Sequence, residues 1–253
     1  METTSKPTAL VTGGGSRGIG AATSRELAAR GYRVAVNYFS NRDAADQVVK
    51  QIEADGGEAF AVQADVHDPQ QAAELLKRST VDGRLDVLVC NAGARFTPTP
   101  LPSLSWEDFH AKVTNELASA FTLTQQALTV MGAQGGGRIV YVSSAVADGP
   151  PMVGMAAHGT AKAALNTFAR FVAYEAGPLG INVNVVAPGF VRTERSAAQP
   201  AEFQQRLAEH TPLGRVAEPE DVARAIAMLA GEDAGFVTGA VVTVDGGHGV
   251  GRP

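Results

Sequence analysis

The chain carries a single cysteine, Cys90, among its 253 residues. An internal disulfide and a cysteine-built metal site are therefore excluded. Positive charge is also scarce: 21 Lys and Arg stand against 26 Asp and Glu, a net charge of −5. With no long basic run there is no concentrated phosphate-binding face, and a nucleic-acid partner is not expected. No apolar stretch approaches the roughly 18 residues that would mark a membrane span. The polar segment Met1 to Pro7 lacks the apolar core of a signal peptide. These absences lead to the expectation of a cytoplasmic protein with no membrane partner. His67, His110, His210 and His248 are scattered without ligand spacing, so no metal is expected. The one tryptophan, Trp106, is expected to be a packing residue, and Cys90 an inert member of the core.

What the chain does have is alternation. Short runs rich in Val and Ile, bounded by Gly, Asp, Asn or Pro, read as strands at 8–12, 32–37, 59–64, 85–90, 138–143, 182–187 and 241–244. Helical patterns lie between them at 18–30, 43–55, 70–79, 105–131, 156–176 and 218–229, with a short one at 202–209. Ser105 and Asp108 fit a capping box at the start of the longest helix. Most strands lack strict apolar/polar alternation, as expected when both sheet faces are covered by helices. The pattern predicts an α/β fold: a Rossmann-type, doubly wound parallel sheet of about seven strands with helices on both faces. No composition shift divides it, so residues 1–253 are expected to form one dinucleotide-binding and catalytic domain. The irregular stretch 188–215 is expected to be a substrate lid.

The first strand runs into Thr12-Gly13-Gly14-Gly15-Ser16-Arg17-Gly18-Ile19-Gly20 and then a helix. Glycines here allow a tight turn, close approach of a pyrophosphate to the backbone and tight helix–strand packing. The helix start offers unpaired N–H groups and the positive end of its dipole to phosphates. Placed between the first strand and its helix, the motif points to a dinucleotide site. The second strand ends in Asn37-Tyr38-Phe39-Ser40-Asn41-Arg42, with no carboxylate before Asp43 to take the ribose hydroxyls of NAD. Arg17 and Arg42 suit a 2′-phosphate instead, which favours NADP(H) over NAD(H). Thr12, Gly14, Ser16, Arg17, Gly18, Ile19, Gly20, Asn37, Ser40 and Arg42 are the candidate contacts at this end.

Together with further motifs, this turn makes the chain resemble the classical short-chain dehydrogenase/reductase family, in particular its 3-oxoacyl-carrier-protein reductase-like members. The likeness runs from about Thr8 to Gly247. Cys90-Asn91-Ala92-Gly93 resembles the family's Asn-Ala-Gly motif beside the cofactor, and Asp65-Val66 its adenine-contacting pair. Asn115 is matched to the catalytic asparagine that holds a water in the proton relay, and Ser144 to the catalytic serine. Pro188-Gly189, Val191 and Thr193 are similar to the nicotinamide-side motif, and Val244-Asp245-Gly246-Gly247 to the C-terminal strand and turn. The resemblance implies a homotetramer with the two long helices at one interface, and a small carbonyl or hydroxyl substrate, free or carrier-bound.

Two departures stand out. From Thr12 to Gly20 the turn is one residue longer than the family's Thr-Gly-x-x-x-Gly-x-Gly, which leaves open which of Gly13 and Gly14 meets the phosphate. The family's Tyr-x-x-x-Lys reads His158-Gly159-Thr160-Ala161-Lys162, and none of Tyr32, Tyr38, Tyr141 and Tyr174 has a lysine four positions later. His158 and Lys162 still share a helix face. In the family, Lys lowers the Tyr pKa and binds the ribose; with His158, a neighbouring ammonium disfavours the imidazolium, leaving a good base and a poor proton source. The catalytic candidates are Asn115, Ser144, His158 and Lys162, with Lys162 also on the cofactor. Three readings follow: a ketone reductase or alcohol dehydrogenase with His158 as general acid and base; a non-redox enzyme carrying out dehydration, cyclisation or isomerisation with His158; and a non-catalytic, cofactor-binding partner subunit. Met152, Met155, Phe96 and Phe190 are candidates to line a pocket around His158.

Overall fold

The structure is a computed structural model that describes residues 6–15, 17–194, 196 and 199–250. Its frame is a seven-stranded sheet in the order β3-β2-β1-β4-β5-β6-β7, with every neighbouring pair parallel. The strands are β1 (Thr8–Val11), β2 (Arg33–Tyr38), β3 (Glu58–Gln63), β4 (Val87–Cys90), β5 (Gly137–Val142), β6 (Ile181–Pro188) and β7 (Val241–Val244). The main helices are α1 (Ile19–Ala29), α2 (Arg42–Ala54), α3 (Pro69–Ser79), α4 (Trp106–Gln134), α5 (Ala156–Ala176), α6 (Ala201–Glu209) and α7 (Pro219–Ala230). The doubly wound parallel sheet read from the sequence is therefore the fold, with element ends displaced by a few residues at most.

Successive strand side chains enter opposite cores. Leu10, Leu88, Ile139, Tyr141, Val183 and Val185 pack with α3, α4 and α5 on one face. Ala9, Val11, Val34, Val36, Val87, Val89, Val140 and Val142 pack with α1, α2 and α7 on the other. Both faces are dry, which is why the strands read as nearly continuous apolar runs. α4 begins with Ser105, whose Oγ accepts from the Asp108 N–H at 3.0 Å and donates back to Asp108 Oδ2 at 2.8 Å. Trp106 corrects its expectation: it is 69% exposed, stacked on Phe109 at the outer start of α4. A first-turn position on the solvent side of a helix has nothing to bury against.

The chain order sets the location of the site. After β1 it winds outward through β2 and β3, then returns to place β4 on the other side of β1. The crossovers therefore leave in opposite directions from β1 and β4 and open a crevice at their carboxyl ends, where α/β sheets bind ligands. Thr12 and Asn91 stand at that crevice. The core beneath it is closely packed: Met131 of α4 is fully buried, and a β-carbon added at Gly137 would lie 2.5 Å from its Sδ. A Met131→Ala substitution should cost about 2–5 kcal/mol through the cavity it leaves. In urea unfolding this would appear as a lower midpoint with an unchanged slope; an unchanged midpoint would contradict the packing described.

Candidate active site

The Gly-rich turn is held from below by β4. Thr12 Oγ1 donates to the Val89 carbonyl at 3.2 Å and accepts from the N–H groups of Asn91 and Ala92, each at 3.0 Å. The Asn91 side chain donates to the Thr12 carbonyl at 2.9 Å. These bonds tie the first strand's exit to the Asn-Ala-Gly segment across the switch point. Gly13 takes the left-handed φ of 62°, and a β-carbon at Gly20 would lie 2.3 Å from the Gly13 carbonyl oxygen, so the helix start fits onto the turn only as glycine. α1 begins at Gly18 with no side-chain cap, leaving its first-turn N–H groups to an incoming anion.

The extra residue in this turn has a place. A β-carbon at Gly15 would lie 2.7 Å from both Tyr38 Cβ and Ala45 Cβ, so the turn leans against the end of β2 and the start of α2. The Gly13 N–H donates to Asn37 Oδ1 and the Gly15 N–H to the Asn37 carbonyl, each at 3.1 Å. Both amides are thus engaged within the protein, and the uncapped N–H groups lie further on, from Gly18. Asn37 is buried, and its Nδ2 donates to the Val62 and Ala64 carbonyls. Its side chain clamps β2, β3 and the turn together. Ser40 and Arg42 are exposed at the end of β2, and Asp65 Oδ1 is engaged by the His67 N–H at 2.9 Å. Val66 is buried behind it. Ser16 lies outside the described residues.

The far side of the crevice is built by the end of β6. Gly189 N–H donates to the Val244 carbonyl at 3.0 Å, and a β-carbon there would meet Asp245 Cβ at 2.7 Å. Val191 bridges to Ala217. Thr193 Cγ2 lies 3.4 Å from the position of a Gly18 β-carbon, so the β6 segment reaches back to the start of α1. Arg17 pairs with Glu194 at 2.6 Å across the same seam.

At the centre sits a group the sequence motifs did not single out. Glu116, 3% exposed, accepts from Lys162 Nζ through Oε1 at 2.5 Å and from Lys112 Nζ and the Ala94 N–H, the latter at 3.0 Å, through Oε2. Lys112 Nζ also donates to the Ala94 carbonyl at 2.8 Å, and Lys162 Nζ to the Val142 carbonyl at 2.7 Å. Lys112 Nζ stands 5.3 Å from the centre of the Phe96 ring, and that ring stacks on the His158 ring at 4.5 Å. One turn of α5 returns from His158 to Lys162, so the contacts close into a circuit. Gly93 borders it: a β-carbon there would lie 3.4 Å from Glu116 Oε1. Ser144 lies two residues past the end of β5, its Oγ accepting from the Val146 N–H at 3.3 Å.

Asn115, matched to the catalytic asparagine, is exposed on the outer side of α4 and does not join Ser144, His158 and Lys162. The residue facing Lys162 is its neighbour, Glu116. Helical periodicity carried this signal. Lys112, Glu116, Ala120, Leu123, Thr124, Ala127 and Met131 form one buried stripe, from which Asn115 is rotated away. Two charged residues inside an apolar stripe, four positions apart, mark a site. Phe96 does meet His158, whereas Phe190 packs edge-on against Phe203 and Met152 is half exposed.

Comparison with known proteins agrees with this architecture. A family model described as enoyl-(acyl carrier protein) reductase matches residues 14–249. The chain belongs to the short-chain dehydrogenase/reductase family. It is 42% identical over 242 residues to a 3-oxoacyl-[acyl-carrier-protein] reductase of Synechocystis, covering 94% of this chain and 95% of that one. A 7α-hydroxysteroid dehydrogenase complexed with NADH and 7-oxoglycochenodeoxycholic acid superposes with a TM-score of 0.90 at 33% identity, covering 97% and 95% of the two chains. A short-chain dehydrogenase from Burkholderia cenocepacia in complex with NADP gives 0.86 at 36% identity, covering 96% and 97%. As a member of this family the chain is a short-chain oxidoreductase. No helix is long and apolar enough to cross a membrane, and no group of metal-ligating side chains occurs, both among the described residues.

The electrostatics of this short-chain oxidoreductase's centre follow from the circuit. Burial pushes the Glu116 carboxyl up, but Lys162 and then Lys112 outweigh it and hold it at about 2. Burial pushes the Cys90 thiol up to about 12, so it is an inert neighbour of the same lysine. A carboxyl with a depressed folded-state pKa stabilises the fold above its unfolded value of about 4.3. That contribution is lost as pH falls from there towards about 2. Urea unfolding between those limits should show stability falling with pH, and the carboxyl ¹³C signal of Glu116 should titrate near the lower one. A midpoint above 4 would contradict the double ammonium pairing.

Proposed function

We propose that the chain is an NADP(H)-dependent ketone reductase, or alcohol dehydrogenase in the reverse direction, with His158 standing where the family has tyrosine. The observation carrying this reading is that His158 lies one helical turn from Lys162, inside the contact circuit at the carboxyl ends of β4 and β5. The residues present fit a dinucleotide: a turn that admits only glycine at Gly20 and an uncapped α1 N-terminus are what a pyrophosphate needs. Thr12, Gly14, Gly18, Ile19 and Gly20 would hold it, with Ala92 and Gly93, Pro188 and Gly189, Val191 and Thr193 along the crevice, and Asp65 and Val66 at the adenine end. When bound, the nicotinamide supplies or accepts a hydride. Ser144 orients the substrate oxygen with its hydroxyl. In the reducing direction the His158 imidazolium gives its proton to that oxygen and is reprotonated from solvent; in the oxidising direction neutral imidazole takes the proton. Lys162 would hold the ribose.

The cofactor preference rests on Arg17 and Arg42. Arg17 pairs with Glu194 and Arg42 with Asp46, the latter at 3.4 Å, and all four side chains are exposed. Such pairs contribute about 0–1 kcal/mol, so either guanidinium can turn to a 2′-phosphate. The two related structures are complexed with NADP and with NADH, so the preference rests on these arginines. The relatives' names suggest a small carbonyl or hydroxyl substrate, carrier-bound in the case of the acyl-carrier-protein reductase. The exposed apolar residues Phe121 of α4 and Phe171 and Tyr174 of α5 support a homo-oligomer, a tetramer by family resemblance; a cytoplasmic location is part of the same reading. A single domain with the stretch 188–215 as lid completes the proposal; α6 within it buries no residue.

Titration of NADPH fluorescence should show binding, and activated ketones should then be reduced between about pH 5 and 8. His158→Ala should lower kcat by about 10²-fold or more, the usual worth of a general acid. Unchanged turnover in that variant would remove His158 from the mechanism, and binding without oxidation across the range would exclude a reductase. Arg42→Ala should reduce the preference for NADPH over NADH by about tenfold, equivalent to one charged hydrogen bond of roughly 1.4 kcal/mol; equal loss for both cofactors would disprove the 2′-phosphate contact.

A further inference from the structure

We propose that Lys112 and Glu116 are positioning residues that fix the Lys162 ammonium and set the net charge facing His158. The inference rests on His158 being the proton donor of the preceding section. It is carried by the buried ammonium–carboxylate–ammonium row on α4 and α5 and by its double link to the histidine. One link is Lys112 over Phe96 and Phe96 on His158, at 5.3 and 4.5 Å; the other is the α5 turn from Lys162. Lys112 and Glu116 are each 3% exposed, so solvent screens their fields weakly.

The charges decide what the row does. A lone Lys162 would present one positive charge to His158 and oppose its protonation. Glu116 alone beside it would cancel that charge. With Lys112 added, the row carries two positive charges and one negative, restoring a net charge of +1 while anchoring Lys162 at a carboxylate. Among the described residues nearby in sequence, Arg95, next to Phe96, is exposed, and Asp148 is exposed and held by Asn166 Nδ2 at 2.9 Å. Removing Lys112 therefore eases protonation of His158, and removing the Glu116 charge opposes it.

The test is a ¹⁵N NMR titration of the His158 ring in the full-length protein, run alongside the pH profile of ketone reduction with NADPH. In Lys112→Met the ring midpoint should rise by about one pH unit, and in Glu116→Gln it should fall by a similar amount. The double variant should return close to the parent. The falling limb of kcat with rising pH should move with the ring midpoint in each protein. Midpoints that stay put, or move in the same direction in both single variants, overturn the proposal. If Glu116→Gln fails to fold, the rise in Lys112→Met and its reversal in the double variant decide the matter alone. Opposite ring shifts without matching kcat profiles sustain the electrostatic row and defeat the assignment of His158 as proton donor.

Discussion

The Glu116 carboxylate between two ammonium groups is the interaction on which the centre of this protein depends. It joins α4 to α5, and through the Ala94 amide it joins both to the segment leaving β4. Taking three charges from water costs several kcal/mol per ion, so the row is tolerable only because its members satisfy one another. Here the carboxylate accepts three hydrogen bonds, and each ammonium also donates to a backbone carbonyl. Truncating one member would leave an uncompensated buried charge, typically about 3–5 kcal/mol. Such a row adds little net stability over an apolar core, so a functional reason for it is the natural one.

The surrounding fold supplies the rigidity that such a row requires. α4 and α5 are long and lie side by side over the same sheet face, with Leu123, Ala127 and Met131 meeting Leu165, Ala169 and Val172 in one core. β4 and β5 end beside each other, so Ala94 in the segment leaving β4 and Val142 at the end of β5 bring their carbonyls to the two ammonium groups. The parallel sheet thus delivers backbone acceptors from two crossovers to one point, and the charged side chains of two helices close over them.

Much of this was legible in the sequence. Strand and helix positions followed from apolar periodicity, because both faces of a parallel sheet are buried and turns need Gly, Asp or Asn. The Gly-rich turn and Asn91 were readable because only glycine fits Gly20 against Gly13, and because the Asn-Ala-Gly segment has to meet Thr12. The phase of α4 at its functional residue was missed. Asn115 satisfied a family pattern by residue type, whereas burial follows the helical period, which puts Glu116 inward and Asn115 outward. The structural role of Asn37 was missed for a related reason: its position at a strand end suggests a ligand contact, and the long-range hydrogen bonds of its side chain to β3 and to the turn are not local. Neither partner is visible from local sequence.

His158, Glu116 and Lys112 are best understood as one set. In the proposed mechanism His158 needs protonation, where a tyrosine would need only to keep or lose its own proton. A site built for tyrosine, with a lysine to stabilise the phenolate, is electrostatically wrong for an imidazolium. The carboxylate of Glu116 offsets the Lys162 charge but is a buried acid, and Lys112 from the preceding turn of the same helix supplies its second counter-charge. None of the three is favourable alone: the histidine would face an unopposed cation, the glutamate would neutralise Lys162, and Lys112 would be an ammonium in an apolar stripe. Taken together they leave Lys162 anchored and every buried charge paired, while the row keeps the net charge of +1 that a lone Lys162 would carry. The circuit from His158 through Phe96, Lys112 and Glu116 to Lys162 is the physical form of that interdependence.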